Sequence, residues 1–195
     1  MIWAVVLAAG ESRRMGTQKL LLPYRGTTVV ETVVRAALDS NVDETLVVLG
    51  ADQEAVREAL KSYPLTFAVN EDFRRGMLSS IQAGFRALPR GTEAAVVMLG
   101  DQPDVASRTV DELVLAYREN CRGIFLPVYA GGGGHPIVID TKYREEILGL
   151  DPEIGLRGLR RAHPEDVVEV EVSEPDAPED MDNPDDYKKA VAKRR

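Results

Sequence analysis

Residues 5–19 read Val5-Val6-Leu7-Ala8-Ala9-Gly10-Glu11-Ser12-Arg13-Arg14-Met15-Gly16-Thr17-Gln18-Lys19. The β-branched, apolar start of this stretch is typical of a buried strand, and it runs directly into a small, basic turn. Gly10 and Gly16 permit backbone angles and close approaches that a Cβ atom would forbid. Backbone N–H groups of such a turn can face an anion, and Arg14 and Lys19 add positive charge. The stretch therefore predicts a cradle for a triphosphate at the end of a buried strand.

Two better-known phosphate-binding loops are excluded by spacing. A Walker loop has the form G-x-x-x-x-G-K-[ST], whereas Gly10 and Gly16 are separated by five residues and Lys19 lies three past the second glycine. The dinucleotide fingerprint G-x-G-x-x-G is also absent. Its absence disfavours a nicotinamide-dependent oxidoreductase.

The composition favours one globular domain. A chain of 195 residues with 44% hydrophobic content is long enough to bury a sizeable core, so we expect a single domain over residues 1–195. The one cysteine, Cys121, cannot form an internal disulfide, and no signal-peptide pattern opens the chain, so we expect a cytoplasmic protein. No run approaches about 18 apolar residues, so we expect no membrane span.

The overall charge is acidic. A formal net charge of −8 argues against a nucleic-acid partner, because binding to that backbone relies on a basic surface. A small anion can still bind at a local basic site. The acidic run between Glu174 and Asp186 is typical of a solvated surface.

Strand-like apolar runs alternate with helical patterns, which is the rhythm of an α/β fold. We predict strands at 2–7, 45–49, 66–69, 94–99, 123–128, 136–139 and 167–172, and helices at 28–38, 51–61, 78–88, 109–119, 142–148, 155–162 and 184–193. The short connections favour a doubly wound, mainly parallel sheet in three α/β/α layers. Ligands of such sheets bind at the carboxyl ends of the strands, so the turns after Leu7 and Leu99 should share one edge.

Two helix starts carry capping signals. Thr28 followed three residues later by Glu31 has the spacing of a capping box. Asn183, Pro184 and the two aspartates that follow supply an N-cap, a proline at the first helical position and an acidic first turn. Helices should begin at both places.

A carboxylate follows the buried-looking strand at 94–99, in Gly100-Asp101-Gln102-Pro103. Mg²⁺ typically takes only one or two protein carboxylates and fills its other positions with water and phosphate oxygens. Asp101 at the end of a central strand is therefore a candidate metal ligand. The alternative is an aspartate that only starts a turn before a proline.

Four motifs in order along the chain resemble one family. The first stretch resembles the L-A-A-G-x-x-x-R-M-G-x-x-K signature of nucleotidyltransferases that transfer NMP from an NTP, specifically the molybdopterin nucleotidyltransferase family. The segments from Asn70 to Gly84, from Leu99 to Pro103 and from Asp180 to Tyr187 resemble later elements of that family. The resemblance implies an enzyme with the Rossmann-like nucleotidyltransferase fold.

The resemblance also implies roles for particular residues. Arg14, Lys19 and Asp101 would be catalytic, with Arg14 and Lys19 holding the β- and γ-phosphates. Glycine and serine at a helix start present N–H groups and hydroxyls to a base or ribose, or they serve only as a strand-to-helix connection. The implied nucleotide-binding residues are Leu7, Ala8, Ala9, Gly10, Arg14, Lys19, Asn70, Gly76, Ser79 and Ser80.

The implied metal ligands are Asp101 and Asp182. Asp182 stands in Asp180-Met181-Asp182-Asn183-Pro184, where the family carries D-x-D-T-P or N-x-N-T-P. Asn183 replaces the usual threonine, a change that retains the capping role. The implied cofactor is Mg²⁺, with Mn²⁺ as the alternative ion. The competing interpretation of Asp182 is helix capping within an acidic surface.

A glycine-rich turn, residues 131–134, precedes His135 and Pro136. Gly-His-Pro resembles the family's G-[HN]-P element, which implies that Gly134, His135 and Pro136 contact the acceptor. His135 would donate a hydrogen bond there rather than act as a base. A plain hairpin turn is the alternative, and His163 is expected on the surface.

The sequence contains no evident nucleophile and base pair. A phosphate monoester is already ionised at neutral pH, so in-line attack on an α-phosphorus needs positioning and charge neutralisation more than proton removal. Ala8-Ala9-Gly10 resembles the cytidylyltransferase branch of the family more than the guanylyltransferase branch. The resemblance thus implies transfer of CMP from CTP to the terminal phosphate of molybdopterin cofactor, and transient docking to a molybdenum hydroxylase or its chaperone.

Three alternatives stay open at this point. The protein could be a guanylyltransferase, or an NTP transferase that acts on a sugar phosphate or another small phosphorylated acceptor. It could also be a non-catalytic, nucleotide-binding regulatory module.

Overall fold

The structure, a computed structural model, describes residues 1–13, 15–120, 123–130, 132–152, 154–174 and 177–192. Its strands are β1 (Ile2–Ala8), β2 (Pro23–Tyr24), β3 (Thr27–Thr28), β4 (Glu44–Leu49), β5 (Thr66–Val69), β6 (Ala94–Leu99), β7 (Ile124–Tyr129), β8 (Gly132–Gly133), β9 (Ile137–Asp140) and β10 (Val167–Glu171). Its α-helices are α1 (Val29–Leu38), α2 (Gln53–Leu60), α3 (Met77–Ala87), α4 (Ser107–Asn120), α5 (Arg144–Gly149), α6 (Leu156–Ala162) and α7 (Pro184–Ala192).

The main sheet is mixed but mainly parallel. Its strand order is β10-β7-β9-β6-β1-β4-β5, and β8 pairs with β7. The pairs β1–β4, β1–β6, β4–β5 and β7–β10 are parallel, whereas β9 is antiparallel to both β6 and β7. A short connection suffices between β7 and β9, because antiparallel neighbours do not need the long crossover that parallel neighbours require. The predicted mainly parallel α/β sheet is confirmed.

The sheet is covered by helices on both faces. Alternate β1 residues contribute to two separate apolar cores: Ile2, Ala4 and Val6 face one core, and Trp3 and Val5 face the other. Helices α1, α2 and α4 cover the first core, and α3, α5 and α6 cover the second. A strand buried on both faces is apolar throughout, which explains the unbroken hydrophobic run at the start of the chain.

The predicted elements agree with the structure apart from their ends. The capping box is present, because Glu31 N donates to Thr28 Oγ1 at 3.3 Å while Thr28 N donates to Glu31 Oε2 at 3.0 Å. Asn183 caps α7 through Oδ1, which accepts from the N–H groups of Asp185 and Asp186 at 3.0 Å. The end predicted at 193 lies outside the described residues.

A small hairpin, β2–β3, was not predicted from the sequence. Its two-residue turn places Arg25 and Gly26 at φ values of 48° and 80°. Both values are positive, as a type I′ hairpin turn requires. Arg-Gly is not the Asn-Gly or Asp-Gly pair by which such turns are usually recognised, so the local signal is weak.

The carboxyl ends of β1 and β6 meet as predicted. Gly100 N donates to Leu7 O at 3.0 Å. A Cβ atom at Gly100 would lie 2.7 Å from Leu7 O, so only glycine allows the turn that carries Asp101 to pack this closely against the end of β1. Within the described ranges, no helix is long and apolar enough to cross a membrane.

Candidate functional site

The loop after β1 is held closed by its own side chains. Ser12 lies in the left-handed region, with φ at 53°, and its Oγ donates to Gln18 Oε1 at 2.8 Å. The same Oγ accepts from Lys19 N at 3.0 Å, and Gln18 Nε2 donates to Asp52 Oδ2 at 3.0 Å. Ser12 and Gln18 were not singled out from the sequence, although both stand inside the motif. Arg14, predicted to bind phosphate, lies outside the described residues.

Lys19 is the centre of the site. Its ammonium forms an ion pair with Asp101 Oδ2 and lies 3.2 Å from Asp182 Oδ1, and its side chain is only 13% exposed. Burial alone would lower the pKa of Lys19, but the two carboxylates outweigh burial and raise it, so the side chain stays charged at neutral pH. The structure thus joins a predicted phosphate-binding residue to both predicted metal ligands.

A buried methionine brings Asp182 to this place. Met181 is 2% exposed and packs with Tyr24, Val29 and Ala190. Its N–H donates to Asp101 O at 3.2 Å, which ties the C-terminal segment to the turn after β6. Asp182, the next residue, therefore reaches Lys19.

Asp180 is a third carboxylate that the sequence analysis did not assign. Its Oδ1 accepts from Gln102 Nε2 at 2.7 Å. Burial raises the pKa of Asp180, and the nearby charges of Asp101 and Asp182 raise it further. The only sequence signal for this residue was its place at the start of the D-x-D element.

Asp101 and Asp182 fit a hard divalent cation. Oxygen atoms are the ligands that Mg²⁺ and Mn²⁺ prefer, and Mg²⁺ needs only one or two carboxylates. Two carboxylates against the single ammonium of Lys19 leave the cluster with a net negative charge, which favours a cation. Among the described residues no group of three or more His, Cys, Asp or Glu forms a metal site, so water and phosphate oxygens would complete the coordination.

Two adjoining cavities of about 250 and 290 Å³ form a cleft around Lys19. They share Gly10, Lys19, Phe73 and Gly76. The inner cavity is mainly apolar, and it is lined by Leu7, Ala9, Gly10, Lys19, Leu20, Phe73, Gly76, Met77, Ser80, Leu99 and Asp101. The outer cavity has more charged and polar side chains, and it is lined by Gly10, Glu11, Ser12, Arg13, Lys19, Phe73, Arg74, Gly76 and Asp182.

Most of the predicted nucleotide-binding residues line this cleft, but Ala8, Asn70 and Ser79 do not. Asn70 is 4% exposed, and its Nδ2 donates to Ser79 Oγ at 2.8 Å and to Ser80 Oγ at 3.0 Å. Ser79 Oγ in turn lies 2.8 Å from Gly76 O. Asn70 and Ser79 thus order the start of α3, while Ser80 reaches the cleft. Ala8 is buried and lines neither cavity.

A larger cavity of about 580 Å³ lies next to the cleft, and Met77 lines both. Gly134 and His135 line this cavity, whereas Pro136, which follows a cis peptide bond, is buried and does not line it. Tyr129 Oη donates to His135 O at 2.9 Å and so holds the turn.

His135 is neutral at physiological pH. Burial lowers the pKa of His135 to about 4, although the charge of Asp101 opposes this effect. Its Nε2 is buried, and no described residue forms a hydrogen bond with it. His135 lines the second cavity, and a buried ring nitrogen without a partner is suited to a hydrogen bond with a ligand.

The fold and this cleft define the protein as a nucleotidyltransferase of the Rossmann-like α/β class. Residues 4–167 match the model of the MobA-like NTP transferase domain, and the chain belongs to that family. The assignment agrees with the resemblance drawn from the four sequence motifs.

Similar proteins carry different names. Nicotine blue oxidoreductase of Paenarthrobacter nicotinovorans is 33% identical over 190 residues, which cover 93% of this chain and 92% of that protein. Molybdenum cofactor cytidylyltransferase of Escherichia coli K12 is 27% identical over 183 residues, covering 94% and 92%. A solved protein of Mycobacterium tuberculosis H37Rv is 32% identical, covers 97% of both chains and superimposes with a TM-score of 0.87. A complex of that protein with manganese superimposes with a TM-score of 0.80 at 30% identity, again over 97% of both chains.

Proposed function

We propose that this protein transfers CMP from CTP to the terminal phosphate of a molybdopterin-type acceptor and releases pyrophosphate. One observation carries the proposal: Lys19 of the glycine loop meets Asp101 and Asp182 where the nucleotide cleft adjoins a large second cavity. A cation for phosphates, carboxylates for a metal ion and room for a second substrate are what nucleotidyl transfer requires.

The two halves of the cleft suit the two parts of a nucleotide. In the mainly apolar inner cavity, Leu7 and Leu99 offer apolar contacts to a base, and the Ser80 hydroxyl offers a hydrogen bond to a base or ribose. The outer cavity carries Arg13, Arg74 and the loop backbone from Gly10 to Ser12, which suit the β- and γ-phosphates. Arg14, from the same loop, would add a guanidinium.

Asp101 and Asp182 would hold Mg²⁺ or Mn²⁺. When bound, the divalent ion supplies charge neutralisation for the phosphates and a template for their alignment. Lys19 stabilises the departing pyrophosphate, since its raised pKa keeps the ammonium charged throughout the neutral range. The manganese complex of the Mycobacterium tuberculosis relative supports a metal-dependent reaction.

The second cavity would position the acceptor. His135 is neutral, so its free ring nitrogen orients the acceptor through a hydrogen bond rather than through charge. The attacking oxygen belongs to a phosphate monoester that is ionised at neutral pH, so no general base is required. In-line attack forms the new P–O bond while the bond to pyrophosphate breaks.

Other members of the same class remain as alternatives. A guanylyltransferase, or an enzyme that uses a sugar phosphate, would use the same carboxylates with a different base or acceptor. The Paenarthrobacter nicotinovorans relative is named an oxidoreductase, so binding of a redox nucleotide such as NADPH should be tested together with binding of the NTPs. Docking to a molybdenum hydroxylase or its chaperone belongs to the proposal, because a labile pterin product benefits from direct transfer.

The first experiment is calorimetric titration with CTP, GTP, ATP, UTP and NADPH, each with and without Mg²⁺. We expect CTP to bind most tightly and only with the metal. Preference for GTP would indicate the sister activity, and binding of NADPH alone would replace transfer with redox chemistry. A protein that binds no nucleotide, with or without a phosphorylated acceptor, would contradict the proposal.

Substitution of Asp101 tests the assignment of roles. We expect Asp101→Asn to lower pyrophosphate release from CTP and molybdenum cofactor by orders of magnitude, while the fold survives because the side chain lies in a surface cleft. Asp185→Asn is the matched control, since that side chain of α7 is 79% exposed and its carboxylate pairs only with Lys188 among the described residues. Turnover in Asp101→Asn equal to that of the control would remove the metal role.

A further inference from the structure

The second cavity has an apolar body and one charged wall. Leu78, Ile81, Leu126 and Ile137 are among its apolar lining residues. Such a lining suits an apolar or aromatic group better than a hydroxyl-rich sugar, whose many polar atoms would lose their water without gaining partners. The charged lining residues are Arg157, Arg160 and Glu169.

Arg157 and Arg160 stand three residues apart on α6 and so share a face of the helix. Within the described residues, neither forms an ion pair or a hydrogen bond, and neither pairs with Glu169 across the cavity. Two guanidinium groups against one carboxylate leave this wall positive in a chain whose net charge is −8. Free guanidinium groups on the wall of a cavity are well placed to bind an anion in a bidentate manner.

Charges of opposite sign act on His135, which also lines this cavity. Asp101 and Arg160 act in opposite directions on the pKa of His135, Asp101 raising it and Arg160 lowering it. Asp101 lines the nucleotide cleft, whereas Arg160 lines the same cavity as His135. Neither arginine lines that cleft.

We propose that Arg157 and Arg160 form an anion site on the α6 wall, and that the acceptor carries a second anionic group on an apolar body. The phosphate of this acceptor faces the Lys19–Asp101 cluster, and its second anionic group binds the two guanidinium groups. The assignment of the cavity to an acceptor rests on the proposed nucleotidyl transfer. The anion site rests on the cavity alone.

Two dyes with the same aromatic body test the anion site. The probe 8-anilinonaphthalene-1-sulfonate carries a sulfonate, and N-phenyl-1-naphthylamine lacks it. We expect the Arg157→Gln/Arg160→Gln protein to bind the sulfonated dye about tenfold or more weakly than the unaltered protein does. Its affinity for the neutral dye should be unchanged. Arg161→Gln is the matched control, because Arg161 lies on the same helix and lines a neighbouring groove shared with Arg157 and Arg160, but it does not line the cavity.

The outcomes separate this inference from the proposed function. Undiminished affinity of the double variant for the sulfonated dye, an equal loss in Arg161→Gln, displacement of the dye by CTP, or no saturable binding of the dye would each overturn the anion site. Calorimetry with CTP on the same proteins tests nucleotide binding separately. A chain that binds no nucleotide yet discriminates the two dyes would end the proposed function and leave the anion site standing.

Discussion

The Lys19 ammonium is held by carboxylates from two distant parts of the chain, and this contact determines the electrostatics of the site. Asp101 follows β6, and Asp182 precedes α7. Each partner was predicted from its motif, but their pairing was not, since a motif records only the neighbours of a residue in sequence. At the residue scale, the chemistry depends on how these charges offset one another in a partly buried cleft.

Burial of His135 should make the stability of the folded protein sensitive to acid. The pKa of His135 is about 4 in the folded protein and about 6.5 when exposed, so between these pH values the unfolded chain binds a proton that the folded protein does not. The free energy of unfolding should therefore fall as the pH is lowered through this window, by roughly 2–3 kcal/mol from His135. His135→Gln should remove that part of the slope, as measured by urea unfolding at pH 4 to 7.

The difference between the pH dependences of the unaltered protein and His135→Gln gives the contribution of His135 alone. Carboxylates that titrate in the same range contribute to both proteins, so they cancel in the difference. Identical pH dependence in His135→Gln and the unaltered protein would show that the ring is not buried in its neutral form.

At the scale of elements, the packing of α3 on β1 sets the position of the cleft. A Cβ atom at Gly84 would lie 2.7 Å from Val5 Cγ1, so glycine lets the helix approach the central strand closely. Ser80 lies one turn earlier on the same face of α3, and it reaches the cleft beside Leu7. A core contact thus places a side chain that we assign to nucleotide binding.

Gly84→Ala should lower the free energy of unfolding by about 1–3 kcal/mol, because the β-branched Val5 side chain cannot turn away within a packed core. Val5→Ala removes the clashing methyl group, so the double variant should lose less than the sum of the single losses, by about 0.5–3 kcal/mol. Urea denaturation of the four proteins measures this coupling.

Gly149→Ala is the matched control for the added methyl group. Nothing lies within 4 Å of a Cβ atom at Gly149, the last residue of α5, so the change should be within about 0.5 kcal/mol of neutral. Strict additivity of Gly84→Ala and Val5→Ala would refute the close approach of α3 to β1.

At the scale of the whole molecule, the C-terminal segment closes the site. The hydrogen bond from Met181 N to Asp101 O and that from Tyr187 Oη to Pro23 O, at 2.6 Å, attach the segment to the turn after β6 and to the β2–β3 hairpin. The hairpin and the C-terminal segment share a small apolar cluster apart from the two main cores. The cluster thus positions Asp182, although this residue is far in sequence from the central strands β1 and β6.

Met181→Ala should lower the free energy of unfolding by about 2–5 kcal/mol through loss of buried volume. It should also weaken Mg²⁺-dependent CTP binding, because Asp182 would no longer be held beside Lys19. Calorimetry and urea denaturation measure the two effects. Val191→Ala, on α7 and 38% exposed, is the control and should change neither. Unaltered metal-dependent binding in Met181→Ala would show that the cluster does not position the site.

The sequence by itself determined the class of the fold, the glycine loop, the carboxylate at the end of β6 and the caps of α1 and α7. These features are local: burial pattern, backbone preference and capping depend on residues within a few positions of one another. Only the tertiary structure decided that Lys19 contacts Asp182, 163 positions away, that β9 runs antiparallel and that Arg157 and Arg160 share a cavity with His135. Such contacts depend on the path of the whole chain, because residues far apart in sequence meet only where the packing of both faces of the sheet brings them together.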